Sequence, residues 1–106
     1  MALEHVLSPL RLGPLTLRNR VATTAHMTGY AENGLVSDTL IEYLTARARG
    51  GVGLLITEAG AVHPTYRPAS YQLYRDDVGP GLARLAEAVH AQDAVIFGQA
   101  NHGGAA

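Results

Sequence analysis

The spacing of apolar residues changes several times along the chain, and together the segments predict an α/β fold. Residues 7–18 alternate apolar and polar positions around Gly13-Pro14, a pattern typical of a β-hairpin. Segments at about 38–49 and 79–92 repeat apolar residues at helical spacing. Apolar runs at about 20–25, 52–58 and 94–100 predict strands. The predicted order is therefore a hairpin followed by β, α, β, α, β.

The run at 52–58 organises the rest of the chain. Gly50 and Gly51 end the preceding helix, and an almost unbroken apolar run follows them. Strands buried on both faces have this composition, and they occur in parallel sheets covered by helices. Two successive right-handed crossovers then predict a three-stranded parallel sheet.

The predicted helices have start signals, and a long loop separates the second strand from the second helix. Ser37 is a good N-cap for the helix at 38–49, with Asp38 in its first turn. We expect Asp76 or Asp77 to cap the helix at 79–92. The long loop consists of residues 60–76, between the strand at 52–58 and the helix at 79–92, and loops of this length are usually functional.

Polar residues follow each predicted strand at its carboxyl end. They are His26 beside Met27, Glu58 beside Ala59, and Gln99 with His102. Parallel α/β folds bind ligands at this edge of the sheet. The pattern predicts a ligand site, and simple solvation of strand ends explains it equally well.

Each candidate side chain has a functional interpretation and a structural one. His26 is either a base or ligand, or a side chain that caps nearby backbone, which we favour. Glu58 is either catalytic or paired with Arg20 or His102. The amide of Gln99 both donates and accepts, so it suits a ring that offers both kinds of edge. His102 is the strongest substrate-side candidate, and the alternative is an ordinary surface histidine.

Composition and charge narrow the class of protein. The 106 residues form at most one ordinary domain, and a net charge of −1 gives no reason to expect nucleic acid as a partner. The absence of cysteine excludes disulfides and cysteine nucleophiles. The histidine spacing does not suggest a metal site. No apolar run approaches the roughly 20 residues of a membrane helix, and no signal peptide is apparent, so we expect a cytoplasmic protein without a membrane partner.

Five segments together resemble the N-terminal part of the old yellow enzyme family of FMN-dependent oxidoreductases. They are residues 8–13, 17–21, 47–59, 88–90 and 99–104, which occur in family order and spacing. Ala25, His26 and Met27 look most like the dienoyl-CoA reductase and trimethylamine dehydrogenase branch. Members of the family fold as an eight-stranded (β/α) barrel, or TIM barrel, whose bottom is closed by an N-terminal hairpin. The resemblance therefore implies that residues 1–106 form the first part of an incomplete barrel, because a full one needs at least about 200 residues.

The resemblance also implies a cofactor site at the carboxyl face of the barrel. A segment after the first strand would lie along the isoalloxazine of FMN, largely through its backbone. Ala59 would pack beside the ring, and Gln99 would hydrogen-bond its pyrimidine edge. Met27 stands where trimethylamine dehydrogenase has its flavin-linking cysteine, so the FMN would be non-covalent. The implied cofactor-binding residues are Thr24, Ala25, His26, Met27, Ala59 and Gln99.

The family's activity implies what a longer parent enzyme would do. Hydride would pass from NAD(P)H to the flavin and then to a small-molecule acceptor such as an activated alkene. The family's phosphate-binding loops and substrate-binding histidine and asparagine come from later strands, so we expect the 106-residue chain to be inactive alone. Its outer strands would be open to a complementary fragment or a second copy. The alternatives are a truncated or split-gene fragment acting only as a binding or assembly module, and a small stand-alone α/β binding module.

Overall fold

The computed structural model describes residues 2–66 and 68–104, and it confirms the α/β class. A short helix precedes the hairpin, and it was not predicted. A 3-10 helix, Asp76–Val78, precedes the last helix. In chain order, the helices and strands are α1 (Leu3–Leu7), which is the short helix before the hairpin, then β1 (Leu10–Leu12), β2 (Leu15–Leu17), β3 (Ala22–Thr23), α2 (Asp38–Arg49), β4 (Leu54–Ala61), α3 (Gly79–His90) and β5 (Val95–Asn101).

The last three strands form a parallel sheet in the order β3-β4-β5, with β4 in the centre. Leu54 of β4 lies between Ala22 of β3 and Val95 of β5, which fixes the register across the sheet. The hairpin β1-β2 is antiparallel and forms a separate sheet. All three carboxyl ends of the parallel strands therefore meet at one edge.

A β-bulge interrupts the pairing between β4 and β5. Ile56 pairs with Phe97, and the next pair is Ala59 with Gln99. Two residues of β4, at positions 57 and 58, therefore face the single residue at position 98 of β5. Because side chains alternate between the two faces of a strand, the extra residue resets which residues of β4 share a face with β5.

The core lies where α2 and α3 cover β4. Apolar residues at helical spacing on each helix pack against the strand, which is the amphipathic pattern expected of covering helices. A tyrosine from the loop after β4 completes this cluster. Its fully buried members include Leu40, Leu44 and Ala48 of α2, Leu85 and Val89 of α3, Leu55 of β4, and Tyr71.

The starts of the two longer helices differ in how well the sequence predicted them. Ser37 caps α2, because its Oγ accepts a hydrogen bond from the Leu40 N–H at 3.0 Å. The predicted cap of α3 by Asp76 or Asp77 is wrong, since the two aspartates lie in the 3-10 helix and Val78 occupies the N-cap position. The 3-10 turn runs directly into α3, so no side-chain cap is needed to begin the helix.

Two strands have bounds that differ by two residues or more from the predicted ones, whereas β5 differs by one residue at each end. β3 ends at Thr23 and not at residue 25, because the chain then turns away from β4. β4 begins at Leu54 and continues to Ala61, past the predicted end at residue 58. The polar pair at 57 and 58 looks like a strand end in the sequence. The bulge keeps both residues inside β4, so the following loop begins only after Ala61.

Arg18 attaches the hairpin to the ends of both longer helices. Its guanidinium donates hydrogen bonds to the carbonyls of Ala48 at 2.5 Å, Val52 at 2.9 Å and Gln92 at 2.6 Å. These carbonyls lie at or just beyond the C-termini of α2 and α3, where the helix dipoles favour a cation.

Within the described ranges, no helix has the length and apolar character needed to cross a bilayer.

Candidate functional site

The carboxyl ends of β4 and β5 bring two of the predicted cofactor residues together. Ala59 and Gln99 are register partners on adjacent strands, so their side chains share one face of the sheet. Ala59 is half-buried and Gln99 is exposed. Among the described residues, none hydrogen-bonds the Gln99 side-chain amide. A small surface therefore lies beside a free amide that can both donate and accept.

The remaining four predicted cofactor residues follow β3. Thr24, His26 and Met27 are exposed, and Ala25 is half-buried. The segment no longer pairs with β4, because the last pair between β3 and β4 joins Thr23 to Leu55. It therefore forms a short irregular stretch at the same edge as Ala59 and Gln99.

The side chain of His26 is held by the protein itself. Its Nδ1 lies 3.2 Å from the Thr24 carbonyl, and its Nε2 lies 2.7 Å from the hydroxyl of Tyr43 on α2. A carbonyl only accepts, so Nδ1 carries the proton and Nε2 accepts from the tyrosine. The rings of His26 and Tyr43 also meet edge to face, with centroids 5.7 Å apart. This arrangement agrees with a side chain that caps local backbone.

Glu58 is buried in the bulge and is tied to the segment after β3. It is 2% exposed, and its Oε1 accepts hydrogen bonds from the Thr28 backbone N–H at 3.3 Å and from the Thr28 hydroxyl. Of the two alternatives for Glu58, the pairing with Arg20 or His102 is wrong, since neither residue bonds Glu58 in the described part of the chain. The second oxygen, Oε2, is buried with no partner among the described residues. Glu58 thus fixes the segment at 24–28 against β4.

His102 lies at the same edge within a chain of local hydrogen bonds. Its Nδ1 accepts from the Gly104 N–H at 2.9 Å, so in the neutral ring Nε2 carries the proton. That proton points to the hydroxyl of Thr65, 2.9 Å away, which in turn lies 2.9 Å from Nδ1 of His63. His102 is exposed, and a role on the substrate side stays a prediction.

Two buried residues at this edge were not among the predicted site residues. Thr57 is 2% exposed and Tyr71 is fully buried, and their hydroxyls lie 2.5 Å apart. Thr57 Oγ1 also accepts from the Gln99 N–H at 3.1 Å, and the Tyr71 hydroxyl donates to the Glu58 carbonyl at 3.0 Å. Burial raises the pKa of Tyr71 above its ordinary value. The bulge that joins these groups has no sequence signature, although a polar residue in an apolar strand was a hint.

An open groove of about 530 Å³ on α2 meets the candidate site at Tyr43, whose hydroxyl lies 2.7 Å from His26 Nε2. Its two carboxylates already have partners, since Asp38 lies 3.1 Å from Arg84 and Glu42 lies 3.4 Å from Arg49. The groove includes none of the six predicted cofactor residues, so we place the candidate site at the strand ends. Its lining consists of Tyr30, Asp38, Thr39, Glu42, Tyr43 and Ala46.

Comparisons with known proteins agree with the resemblance seen in the sequence. The model of the NADH:flavin oxidoreductase / NADH oxidase family matches residues 5–106. A 4,4'-dithiodibutanoate disulfide reductase of Rhodococcus erythropolis is 42% identical over 100 residues, which are 93% of this chain and 25% of that protein. An NADH oxidase of Thermoanaerobacter brockii is 44% identical over 104 residues, 94% of this chain and 16% of that protein.

Solved structures show the same relationship. A 2-naphthoyl-CoA reductase in complex with 2-naphthoyl-CoA matches 93% of this chain and 16% of its own, with a TM-score of 0.90 and 32% identity. The old yellow enzyme of Trypanosoma cruzi matches 98% of this chain and 28% of its own, with a TM-score of 0.85 and 31% identity. The chain therefore spans a quarter or less of the two curated relatives and corresponds to the N-terminal part of longer proteins.

Proposed function

Because the chain belongs to the NADH:flavin oxidoreductase / NADH oxidase family, we propose that it forms the first part of a (β/α)8 barrel and contributes the ring-contacting part of an FMN site. The parent enzyme would be an NAD(P)H-dependent oxidoreductase. The observation that carries this proposal is the register of β4 and β5, which sets Ala59 directly beside Gln99 at the carboxyl edge. Ligands of parallel α/β folds bind at that edge.

The residues at this edge fit an isoalloxazine. A flat ring needs a small neighbour to lie against, and Ala59 is small and half-buried. The pyrimidine edge of the ring offers one donor and several acceptors, and the free Gln99 amide complements both. The four residues Thr24, Ala25, His26 and Met27 would line the other side of the ring, mostly through backbone groups.

When bound, FMN would supply the redox chemistry by passing hydride from NAD(P)H to an electron-poor alkene or a similar acceptor. The part of this chain is to hold and orient the ring. Hydrogen bonds from the protein to the ring tune its reduction potential, and we assign this role to Gln99. His102, exposed at the same edge, would lie on the substrate side. The match to a CoA-thioester reductase structure supports the dienoyl-CoA reductase branch.

We further propose that residues 1–106 do not complete the reaction by themselves. No predicted FMN contact in this chain is a phosphate anchor, and the family's anchors come from later strands. In the described part of the chain, β3 and β5 each pair with β4 alone, which leaves an outer edge on both. An assembly or binding module is the second candidate, because these edges can pair with a complementary fragment or a second copy.

The test is a titration of the 106-residue chain with FMN, followed by flavin fluorescence. We expect saturable binding, roughly tenfold weaker for Gln99→Leu because one hydrogen bond to the ring is lost. Gln92→Leu is the matched control, since Gln92 lies beyond α3 at the opposite edge of the sheet. Equal affinities for the two variants, or no saturable binding by a folded chain, would contradict the proposed site.

A further inference from the structure

We propose that Thr57 and Tyr71 are positioning residues that hold Gln99 for FMN through a buried hydrogen-bond relay. The inference rests on the proposed function, since FMN is the ligand that Gln99 would bind. Both hydroxyls are buried and hydrogen-bonded within the protein, so neither would contact the ring directly. Thr57 and Tyr71 act on the backbone of Gln99, and that backbone sets the direction of the exposed side-chain amide.

The relay exists because of the bulge in β4. Regular ladder pairing stops at Ile56 and Phe97 and resumes at Ala59 and Gln99. At this break the Gln99 N–H bonds to a side chain, the Thr57 hydroxyl, at 3.1 Å. The position of Gln99 therefore depends on one hydroxyl group as well as on the ladder.

The direction of each hydrogen bond in the relay follows from counting protons. The Tyr71 hydroxyl has one proton and donates it to the Glu58 carbonyl at 3.0 Å. It must therefore accept from Thr57, whose own proton fills the 2.5 Å contact between the two hydroxyls. Thr57 is then left with lone pairs for the Gln99 N–H. Both hydroxyl protons of the relay and the Gln99 N–H are therefore used in hydrogen bonds.

Packing prevents the relay from adjusting. Thr57 and Tyr71 are both at least 98% buried. The ring of Tyr71 lies against Gly60, where an added Cβ would come within 2.5 Å of Tyr71 Cε2. Removing a hydroxyl therefore leaves a buried polar partner unsatisfied, and water has little access to replace it.

The relay also reaches the other side of the candidate ring site. It ends on Glu58, whose carboxylate binds Thr28 in the segment after β3. One connected set of bonds thus joins Gln99 of β5 to the segment at 24–28, with Ala59 between them. We infer that the bulge sets the spacing of both sides of the site together.

The first test measures the relay without any flavin. Amide hydrogen exchange of the 106-residue chain is followed by NMR for Thr57→Val and for the conservative variant Thr57→Ser. We expect Thr57→Val to speed exchange of the Gln99 amide at least tenfold and Thr57→Ser to restore its protection. The Val95 amide, which bonds to the Gly53 carbonyl at 3.0 Å before the bulge, is the internal control. Unchanged Gln99 exchange in Thr57→Val would overturn the inference.

The second test measures FMN affinity and the absorption spectrum of bound flavin in the same variants. We expect Thr57→Val to weaken binding about tenfold and to shift the spectrum, with Thr57→Ser close to wild type. Unchanged affinity and spectrum in a variant whose Gln99 amide is deprotected would overturn the positioning role. If the wild-type chain does not bind FMN, the proposed function fails for this chain, and the exchange data still decide whether the relay holds Gln99.

Tyr71→Phe keeps the inference testable if Thr57→Val does not fold. This variant removes the acceptor for the Thr57 proton but keeps Thr57 Oγ1 as the acceptor for Gln99. We expect a smaller increase in Gln99 exchange, about two- to fivefold, without a change at Val95. An equal change at both amides would mean only global destabilisation, and it would overturn the inference.

Discussion

At the scale of single residues, Arg18 has the widest structural reach. Its guanidinium bonds to three carbonyls, one at the end of α2, one before β4 and one after α3. Such charge-assisted bonds are worth about 1.5–3 kcal/mol when the acceptors are partly buried. Arg18→Met removes all three bonds and should therefore lower the free energy of unfolding by at least about 1.5–3 kcal/mol, the contribution of one such bond, as measured by urea denaturation.

The matched control for this prediction is Arg49→Met. Arg49 forms an exposed pair with Glu42 at 3.4 Å, and such pairs contribute little. We expect a change within about 0.5 kcal/mol for the control. Equal effects of the two substitutions would contradict the role given to Arg18.

Tyr71 should give stability a dependence on alkaline pH. Burial raises the pKa of this hydroxyl in the folded state above the unfolded value of about 10. The folded state therefore favours the neutral form, and its contribution is present below pH 10 and is lost as pH rises through the folded pKa. The difference in unfolding free energy between wild type and Tyr71→Phe should shrink above about pH 10.

Urea denaturation of both proteins between pH 8 and about 11 provides this comparison. The other tyrosines are common to both proteins, so their titration cancels in the difference. A difference that stays constant across the range would mean that Tyr71 titrates normally and that its burial does not matter.

Single residues were predictable where local chemistry decides their role. Ser37 was identified as an N-cap because its short hydroxyl side chain suits that position, and the structure shows the bond to Leu40. Thr57 could not be identified, since its partners Gln99 and Tyr71 are brought together only by the fold. Asp76 looked like a cap for the same reason as Ser37, but the intervening 3-10 turn took that position.

At the scale of elements, the bulged strand β4 requires a residue without a side chain at position 60. Gly60 follows the bulge, and a Cβ there would lie 2.5 Å from the Tyr71 ring and 2.7 Å from Leu73 Cγ. Gly60→Ala should destabilise the chain by about 1–3 kcal/mol, because the added methyl overpacks a buried site. Thermal or urea unfolding measures this.

Gly98→Ala is the matched control on the neighbouring strand. An added Cβ at Gly98 meets nothing within 4 Å. We expect a neutral or slightly stabilising effect, since alanine loses less backbone entropy than glycine. A destabilisation as large as that of Gly60→Ala would mean that the tight contact at Gly60 is not the cause.

The periodicity of apolar residues predicted the type and order of the longer elements. It predicted the residues at which they begin and end less well. Both longer helices were visible because apolar residues recur on one face. The end of β4 was misplaced because Thr57 and Glu58 are polar, and only the bulge and the bond to Thr28 explain why they are buried. No sequence signal near Thr57 and Glu58 indicates which distant residues they contact.

At the scale of the whole molecule, the described residues leave the outer edges of β3 and β5 unpaired. Its radius of gyration is 14.8 Å, whereas a compact domain of this length has about 13 Å. Phe97 of β5 is 36% exposed on an edge strand. We expect the chain to self-associate at micromolar concentration, as measured by sedimentation velocity, because apolar edge strands pair with one another.

Phe97→Lys should reduce this association, since a charge on an edge strand disfavours pairing. Arg84→Lys, on the exposed side of α3, serves as a surface control and should leave association unchanged. A chain that sediments as a monomer at every concentration would contradict the expectation for these edges.

The family of the whole molecule was predicted from motifs in a characteristic order more than from the periodicity of apolar residues. Periodicity alone predicted a three-stranded parallel sheet, and the structure has one. The family followed from segments such as 47–59 and 99–104, and the comparisons confirm it. Ala59 and Gln99 show how motifs and structure complement each other. The motifs identified both residues as candidates, and the register after the bulge places them side by side.

The most direct test of the central proposal is to map FMN onto the chain by NMR. Amide chemical shifts of the ¹⁵N-labelled 106-residue chain are recorded during an FMN titration. The proposal predicts that the largest changes cluster at 24–27, Ala59 and Gln99, with little change around Arg18 at the opposite edge. Changes that cluster instead in the groove on α2 around Thr39, Glu42 and Ala46, or that spread without a cluster, would contradict a flavin site at the strand ends.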